Sequence, residues 1–374
     1  MKNPNRIDDL KKDFNETLAS FQLEINLAIG AIANNQDRLT HEVENSSVLN
    51  ELKYPVVAHH DSTQGCLEGT RADLIGHSMA WCRNTGNGEK RVLLLTAVAG
   101  AGKTSVAHSI AEECKKERIL LLSFFKAGEQ SRPDHMFSGM ARSLATHDPL
   151  YRASLISTPQ EDPTLSTAPF VTQFKKLVAE PLHLKTSPSD RSMVVIIDAL
   201  DECDTEAFPR LANMLRKEVP KLPPNIKFFV TSRQFDLVNR FLSPDFPIDR
   251  LSINLSDDAN VHDCTVYIQS QLRELKGVHP DLKYRIEDEE KLVQSILERA
   301  GGLFIWISTI FRYMKIANGD PARMLKKLLD AGENGSKVST EEMMDSLYTL
   351  VSTASRRSVG DCGSIRSTRK SRKD

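Results

Sequence analysis

Cysteine is scarce in this chain, and the few residues stand apart. The six lie at positions 66, 82, 114, 203, 264 and 362, with no two within fifteen residues. That spacing excludes a CxxC redox or zinc motif and a disulfide framework, so reduced thiols in a cytoplasmic protein are the expectation. Histidines pair closely only at His59-His60, and nothing completes a metal set around them. Long apolar runs are missing too. The longest, Leu303 to Phe311, includes Ser308 and Thr309 and falls far short of the roughly 20 residues of a membrane span. The first residues, MKNPNRIDDLKKD, lack the apolar stretch of a signal peptide. A net charge of −1 gives no global field that would favour nucleic acid or a membrane surface.

What is present centres on Arg91 to Cys114, RVLLLTAVAGAGKTSVAHSIAEEC. Val92 to Leu95 read as a buried strand. Val106, Ala107, Ile110, Ala111 and Cys114 recur at helical spacing. Between them, Ala97 to Thr104 (AVAGAGKT) fit the phosphate-loop pattern except that Ala97 replaces the first glycine. Gly100 and Gly102 let the backbone curl around Ala101 so that N–H groups face an anion. The helix start at Lys103, Thr104 and Ser105 adds its free N–H groups and the positive end of its dipole. Lys103 suits the β- and γ-phosphates, and Thr104 suits Mg²⁺. Alanine at 97 is harmless if its φ is negative and costly if it is positive. By itself this stretch also fits a glycine-rich turn ahead of any helix.

Two further stretches add weight. Met193 to Glu202 is an apolar run ending in Asp198, then Ala199, Leu200, Asp201 and Glu202. An acid closing a buried strand sits at the carboxyl edge of a parallel sheet, where such sheets bind ligands. Asp198 there suits Mg²⁺, mostly through water, and Asp201 and Glu202 are placed to orient or deprotonate an attacking water. Asn225 to Arg233, NIKFFVTSR, reads as another strand, tipped by Thr231, Ser232 and the cation Arg233.

At these three pieces the chain resembles the NACHT class of signal-transducing P-loop NTPases, and the Asp198-Ala199-Leu200-Asp201-Glu202 signature carries most of that likeness. The stretches CLEGTR (Cys66 to Arg71), SFFKAGE (Ser123 to Glu129), QFKKLVAEPL (Gln173 to Leu182) and GGLFIW (Gly301 to Trp306) are similar to the fungal branch, whose nucleotide module is of the nephrocystin amino-terminal type. The resemblance spans about residues 60 to 351. It implies that the segment before the first strand lies near the nucleotide base, which makes Thr70 and Arg71 candidate purine-site residues. A surface cation is an equal reading of Arg71. It also implies a helical lid with a Gly-Leu-Pro turn on the base, but here Gly302-Leu303-Phe304 lacks the proline.

Strand and helix patterns alternate up to about residue 254, which predicts an α/β P-loop NTPase with a mostly parallel sheet covered by helices on both faces. The stretch from His147 to Pro169 reads as a surface loop. From 255 to 351 only helical patterns follow, an all-helical subdomain. Residues 1–60 form a helix and linker. There Ile7, Leu10, Phe14, Leu18, Phe21, Ile25, Ala28 and Ile32 make a narrow seam close to a coiled-coil repeat, suited either to packing on the main domain or to self-association. Residues 352–374 are a basic Ser/Arg-rich tail that buries too little to order.

The expectation is therefore a slow NTPase switch of innate-immune or non-self-recognition type. It binds ATP or GTP with Mg²⁺ and assembles with itself or with related NACHT proteins, without nucleic acid or a membrane span. No NKxD guanine motif occurs, which leans towards ATP. The rivals are a truncated scaffold for full-length relatives and a constitutive AAA-like ATPase.

Overall fold

The computed structural model of the chain describes residues 61–86, 88–126, 136–161, 165, 168–183, 191–286, 288–316, 321 and 323. The expected coiled-coil helix at 1–60, the basic tail and, apart from 321 and 323, the helices expected after Ile316 lie outside the described residues. Among the described residues five strands are present: β1 Val92–Thr96, β2 Leu120–Lys126, β3 Met193–Asp198, β4 Ile226–Ser232 and β5 Ile248–Ser252. The longer helices, in chain order, are α1 Ala72–Arg83, α2 Lys103–Lys116, α3 Met136–His147, α4 Pro149–Glu161, α5 Ala207–Lys217, α6 Asp236–Phe241, α7 Asp258–Val278, α8 Glu289–Ala300 and α9 Phe304–Ile316. Two compact units result, one of 1–54 with 137–185, the other of 55–136 with 186–374.

The first unit is helical in its described part. Phe137, Tyr151, Leu155, Phe174 and Leu177 are fully buried. The Phe137 ring meets Phe174 edge-on at 5.1 Å, and the Tyr151 hydroxyl donates to the Leu177 carbonyl. Leu177 lies in a π-helical turn, Phe174–Ala179. Residues 147–169, expected as a surface loop, instead contain α4. Asp148 Oδ1 accepts from the Leu150 and Tyr151 N–H groups, each at 3.1 Å. Pro149 therefore occupies the first helical position, where its missing N–H costs nothing. Proline there is a start signal rather than a break.

The second unit holds the sheet, ordered β2-β3-β4-β1-β5 with every neighbouring pair parallel. Each residue of β1, β3 and β4 is buried, so both sheet faces are covered. On one face Leu93, Leu95, Val194, Ile196 and Phe229 pack with Met79 and Cys82 of α1 and with Val106, Ile110 and Cys114 of α2. The register sets Thr96 opposite Ser232 and Ile197 opposite Val230, so β1, β3 and β4 end at one edge. A second cluster joins α7, α8 and α9 through Ile268, Leu272, Ile296, Leu303, Ile307 and Phe311.

Helix α1 is pinned at its carboxyl end from inside the sheet. The fully buried Lys227 of β4 donates to the Trp81 carbonyl at 2.7 Å and lies 4.7 Å from the Trp81 ring centroid. Ser192 Oγ donates to the Cys82 carbonyl at 2.5 Å. The five described cysteines outside the tail are free thiols.

The turn into α9 rests on Gly302, at φ +81, where an added Cβ would stand 2.4 Å from the Leu255 carbonyl oxygen. Gly302→Ala should therefore lower the unfolding free energy, by at least about 1 kcal/mol for the left-handed backbone alone and more for the clash, and with it the urea midpoint. An unchanged midpoint would refute this packing.

Candidate functional site

The carboxyl edge of the sheet carries the site, and the loop from β1 to α2 forms its base. Gly100 and Gly102 adopt φ +76 and +93. Ala97, by contrast, is not among the residues with positive φ, so its methyl group is tolerated and packs in the core. Ala101 is fully buried. Gly102 caps α2 with no side chain on the free N–H groups, and the first helical turn contains no acid. These groups are the natural donors for an anion. Lys103 Nζ donates to the Ala97 and Val98 carbonyls, both at 3.0 Å, and so spans the loop. Burial lowers the ammonium below its ordinary range. The Asp201 charge opposes that shift, Arg233 adds to it, and Asp198 and Glu202 oppose it more weakly.

Asp198 closes β3 fully buried. Its Oδ1 accepts from Thr231 Oγ1 at 2.6 Å, and the same hydroxyl accepts from the Ala199 N–H at 2.9 Å. Asp198 Oδ2 is buried with no hydrogen-bond partner. A carboxylate oxygen in that condition calls for a cation or a water held by one, so the donor set of Asp198 and Thr104 fits Mg²⁺ completed by phosphate oxygens and water. Among the described residues no three His, Cys, Asp or Glu side chains gather as a metal cage, and Mg²⁺ at phosphates needs none.

Asp201 and Glu202 are adjacent in sequence but differ in surroundings. Both Asp201 oxygens engage Arg233: Oδ1 accepts its backbone N–H at 2.8 Å, and Oδ2 pairs with Nε at 3.0 Å. Asp201 is thereby committed to holding Arg233, half of whose side chain stays exposed at 53%. Glu202 is exposed and lines the same cavity. The expected water-handling pair thus divides, with Glu202 alone carrying a carboxylate not engaged by Arg233.

Thr70 and Arg71 are both buried. Thr70 Oγ1 donates to the Leu67 carbonyl at 2.7 Å, within its own turn. Arg71 is no surface cation. It takes a left-handed backbone at φ 58, and its guanidinium is spent on protein groups at the phosphate loop, α7 and α9.

A cavity of about 740 Å³ collects these residues, a volume suited to a nucleotide-sized ligand. Gly100, Gly102, Lys103, Thr104 and Ser105 line it, with Thr70, Arg71, Asp201, Glu202, Thr231 and Arg233. Asp198 stands outside the wall, behind Thr231. The wall also includes Tyr267 of α7 and Ile305, Ser308 and Arg312 of α9. The last three were missed in the sequence, although their spacing of three and four marks one helix face, polar in part within an apolar run. Segment 61–66 is tied to α2: His108 Nδ1 accepts from the Asp61 N–H at 3.0 Å, and Ser109 Oγ accepts from the Cys66 N–H at 2.8 Å.

Residues 69–233 match the model of the family described as nephrocystin 3, N-terminal. No curated protein sequence matches. Among solved structures, PCH-2 of C. elegans is similar at 14% identity, over 69% of this chain and 68% of that one, with a TM-score of 0.38. Domain III of the replication initiation protein DnaA from Thermotoga maritima matches at 10% identity, over 78% and 97%, with a TM-score of 0.35. AMPPCP-bound DnaA from Aquifex aeolicus matches at 12%, over 79% and 90%, with a TM-score of 0.32. At these scores none of the three bears on function.

Because burial lowers the Lys103 ammonium, its charge is lost on alkaline titration before the ordinary lysine value of about 10.4. Affinity for inorganic triphosphate should decline correspondingly early as pH rises. Calorimetric titration across that range tests this; constant affinity up to the ordinary lysine range would contradict it.

Proposed function

We propose that this carrier of a nephrocystin 3 N-terminal module is a nucleotide-controlled molecular switch of the NACHT class. It binds ATP or ADP with Mg²⁺, hydrolyses ATP slowly, and changes its assembly state with the nucleotide. The observation that carries this reading is the buried, half-satisfied Asp198 carboxylate, set beside a phosphate loop whose helix start has no capping side chain. A glycine-rich turn alone has no need of such an acid.

Each residue has a role that its surroundings support. Lys103 and the N–H groups at the start of α2 hold the phosphates. Thr104 and Asp198 hold Mg²⁺, which when bound neutralises phosphate charge. Arg233, fixed by Asp201, adds positive charge where it develops during transfer of the terminal phosphoryl group. Glu202 orients the attacking water and accepts its proton. ATP is favoured over GTP because no NKxD motif is present. Among the described residues no helix is long and apolar enough to cross a membrane. A signalling role in non-self recognition, with homo-oligomers or assemblies with related NACHT proteins, rests on the motif resemblance.

Lys103→Ala should abolish binding of a fluorescent ATP analogue, whereas Glu202→Gln should keep binding and lower hydrolysis by about 10²–10⁴-fold. Light scattering with ADP, with a non-hydrolysable ATP analogue and without nucleotide tests the switch. Retained binding in Lys103→Ala would sink the site. An assembly state indifferent to nucleotide would sink the switch and leave a scaffold.

A further inference from the structure

Two peptide units of the phosphate loop are held through their carbonyls. The Gly100 carbonyl accepts from the Ile305 N–H at 3.1 Å, at the start of α9. The next carbonyl, of Ala101, accepts from Arg71 Nη2 at 3.0 Å. In a trans peptide C=O and N–H point to opposite sides, and among the described residues no peptide is cis. Pinning the Ala101 carbonyl therefore fixes the plane of the Ala101–Gly102 peptide, and with it the direction of the Gly102 N–H, at a residue that lines the cavity.

The same guanidinium reaches two helices. Nη2 also donates to Asn260 Oδ1 at 2.6 Å, and Nη1 lies 3.5 Å from Asp263 Oδ2, both on α7. Its carbon sits 4.9 Å from the Phe304 ring centroid on α9. Asn260 in turn donates to the Leu255 and Gly302 carbonyls, at 2.8 and 3.1 Å, and so fixes the turn that begins α9. Only 5% of Arg71 is exposed, and its Nη2 is engaged by two protein oxygens. Its backbone is left-handed, a conformation that a non-glycine residue keeps only when its surroundings demand it.

We propose that Arg71 is a positioning residue that aims the phosphate-loop N–H groups and links that loop to α7 and α9, so that phosphate occupancy is transmitted to 258–316. This deepens the switch reading and rests on it, by naming the linkage through which the bound nucleotide reaches the helices. Hydrogen bonds in a chain polarise one another. An anion on the Gly102 N–H strengthens the Ala101 carbonyl as an acceptor for Arg71, and with it the hold on Asn260 and Asp263. Space allows little slack, since a Cβ on Gly100 would fall 2.1 Å from Ile305 Cγ2.

Arg71→Lys keeps the charge but offers one ammonium in place of a planar fork, and cannot serve the Ala101 carbonyl, Asn260 and Asp263 together. Asp263→Asn removes one anchor with almost no change of shape. Amide hydrogen exchange over 258–316 is measured for each protein without nucleotide and at a saturating concentration of an ATP analogue with Mg²⁺. The wild-type amides should slow by about fivefold or more on binding. Arg71→Lys should bind at saturation yet lose that response, and Asp263→Asn should show it reduced. A full wild-type response in both variants would overturn the linkage. So would a large affinity loss in Arg71→Lys with a full response at saturation, which would mark a direct ligand contact. If Arg71→Lys does not fold, Asp263→Asn decides: a reduced response supports the linkage and an unchanged one refutes it. A wild type that binds nucleotide without a helix response refutes the linkage alone, whereas a wild type that binds no nucleotide refutes the functional reading beneath it.

Discussion

A carboxylate buried to the last square ångström needs a reason to be there. Asp198 has no exposed surface, one oxygen satisfied by Thr231 and one with no partner. Leaving a charged acceptor unpaired in the interior is among the more costly local choices a fold can make. The surroundings sharpen that cost rather than relieve it. Ile196 and Ile197 precede the acid, and the neighbouring strand presents Phe229 and Val230. The Thr231 hydroxyl fixes which oxygen is left free, because it is already engaged by the Ala199 N–H on its other side. That N–H is offered only because Ala199 turns left-handed at φ 57 and ends the strand sharply. One threonine therefore sets the direction of the acid and the turn that follows it, and that turn carries Asp201 and Glu202 to the cavity wall.

The division between these two acids follows from the same turn. Asp201 lies where β4 ends, close enough to accept the Arg233 N–H and its Nε together. A paired, half-exposed cation loses less to solvent motion than a free one, so Arg233 is held over the cavity at a modest entropic cost. The neighbouring Glu202 is left exposed and free of that pair. Two adjacent acids thus differ in their surroundings, one an anchor for Arg233 and one exposed at the cavity wall, a distinction that no spacing rule contains. The doubled acid was legible in the sequence; the separate roles appear only once Arg233 stands beside one of them.

Much of the remainder was readable for a simple physical reason. The phosphate loop, the acid-tipped strand and the strand before Arg233 are local patterns, each complete within about ten residues and each ending at a sheet edge that parallel topology brings together. Even the Ala97 question reduced to one dihedral. Arg71 was not readable, because its partners Ala101, Asn260 and Asp263 lie 30, 189 and 192 positions away. Nothing in CLEGTR separates a buried fork from a surface cation or a base contact. Helix α4 was lost for the opposite reason. Its signal was entirely local, yet Asp148-Pro149 is ambiguous until the N-cap hydrogen bonds are seen. Ser308 was hidden by the apolar run in which it sits, and Arg312 by following directly on it.

The helices after β5 are part of the site and not an appendage to it. A parallel sheet with a phosphate loop can bind an anion without them, since its donors come from the loop and from α2. Here the loop's outward carbonyls have been taken over, Gly100 by the first turn of α9 and Ala101 by an arginine bound to α7. Each of those hydrogen bonds is worth about 1 kcal/mol by itself, too little to lock a conformation but comparable to the coupling energies by which one site biases another. Interactions of that size suit the proposed switch, where stronger ties would freeze one form and weaker ones would let loop and helices move independently. Gly302 and Gly100 add a steric condition, since both admit a neighbour where a side chain would exclude it. The linkage is thus narrow as well as weak: a few hydrogen bonds through one buried guanidinium, with two glycines holding the space open around it.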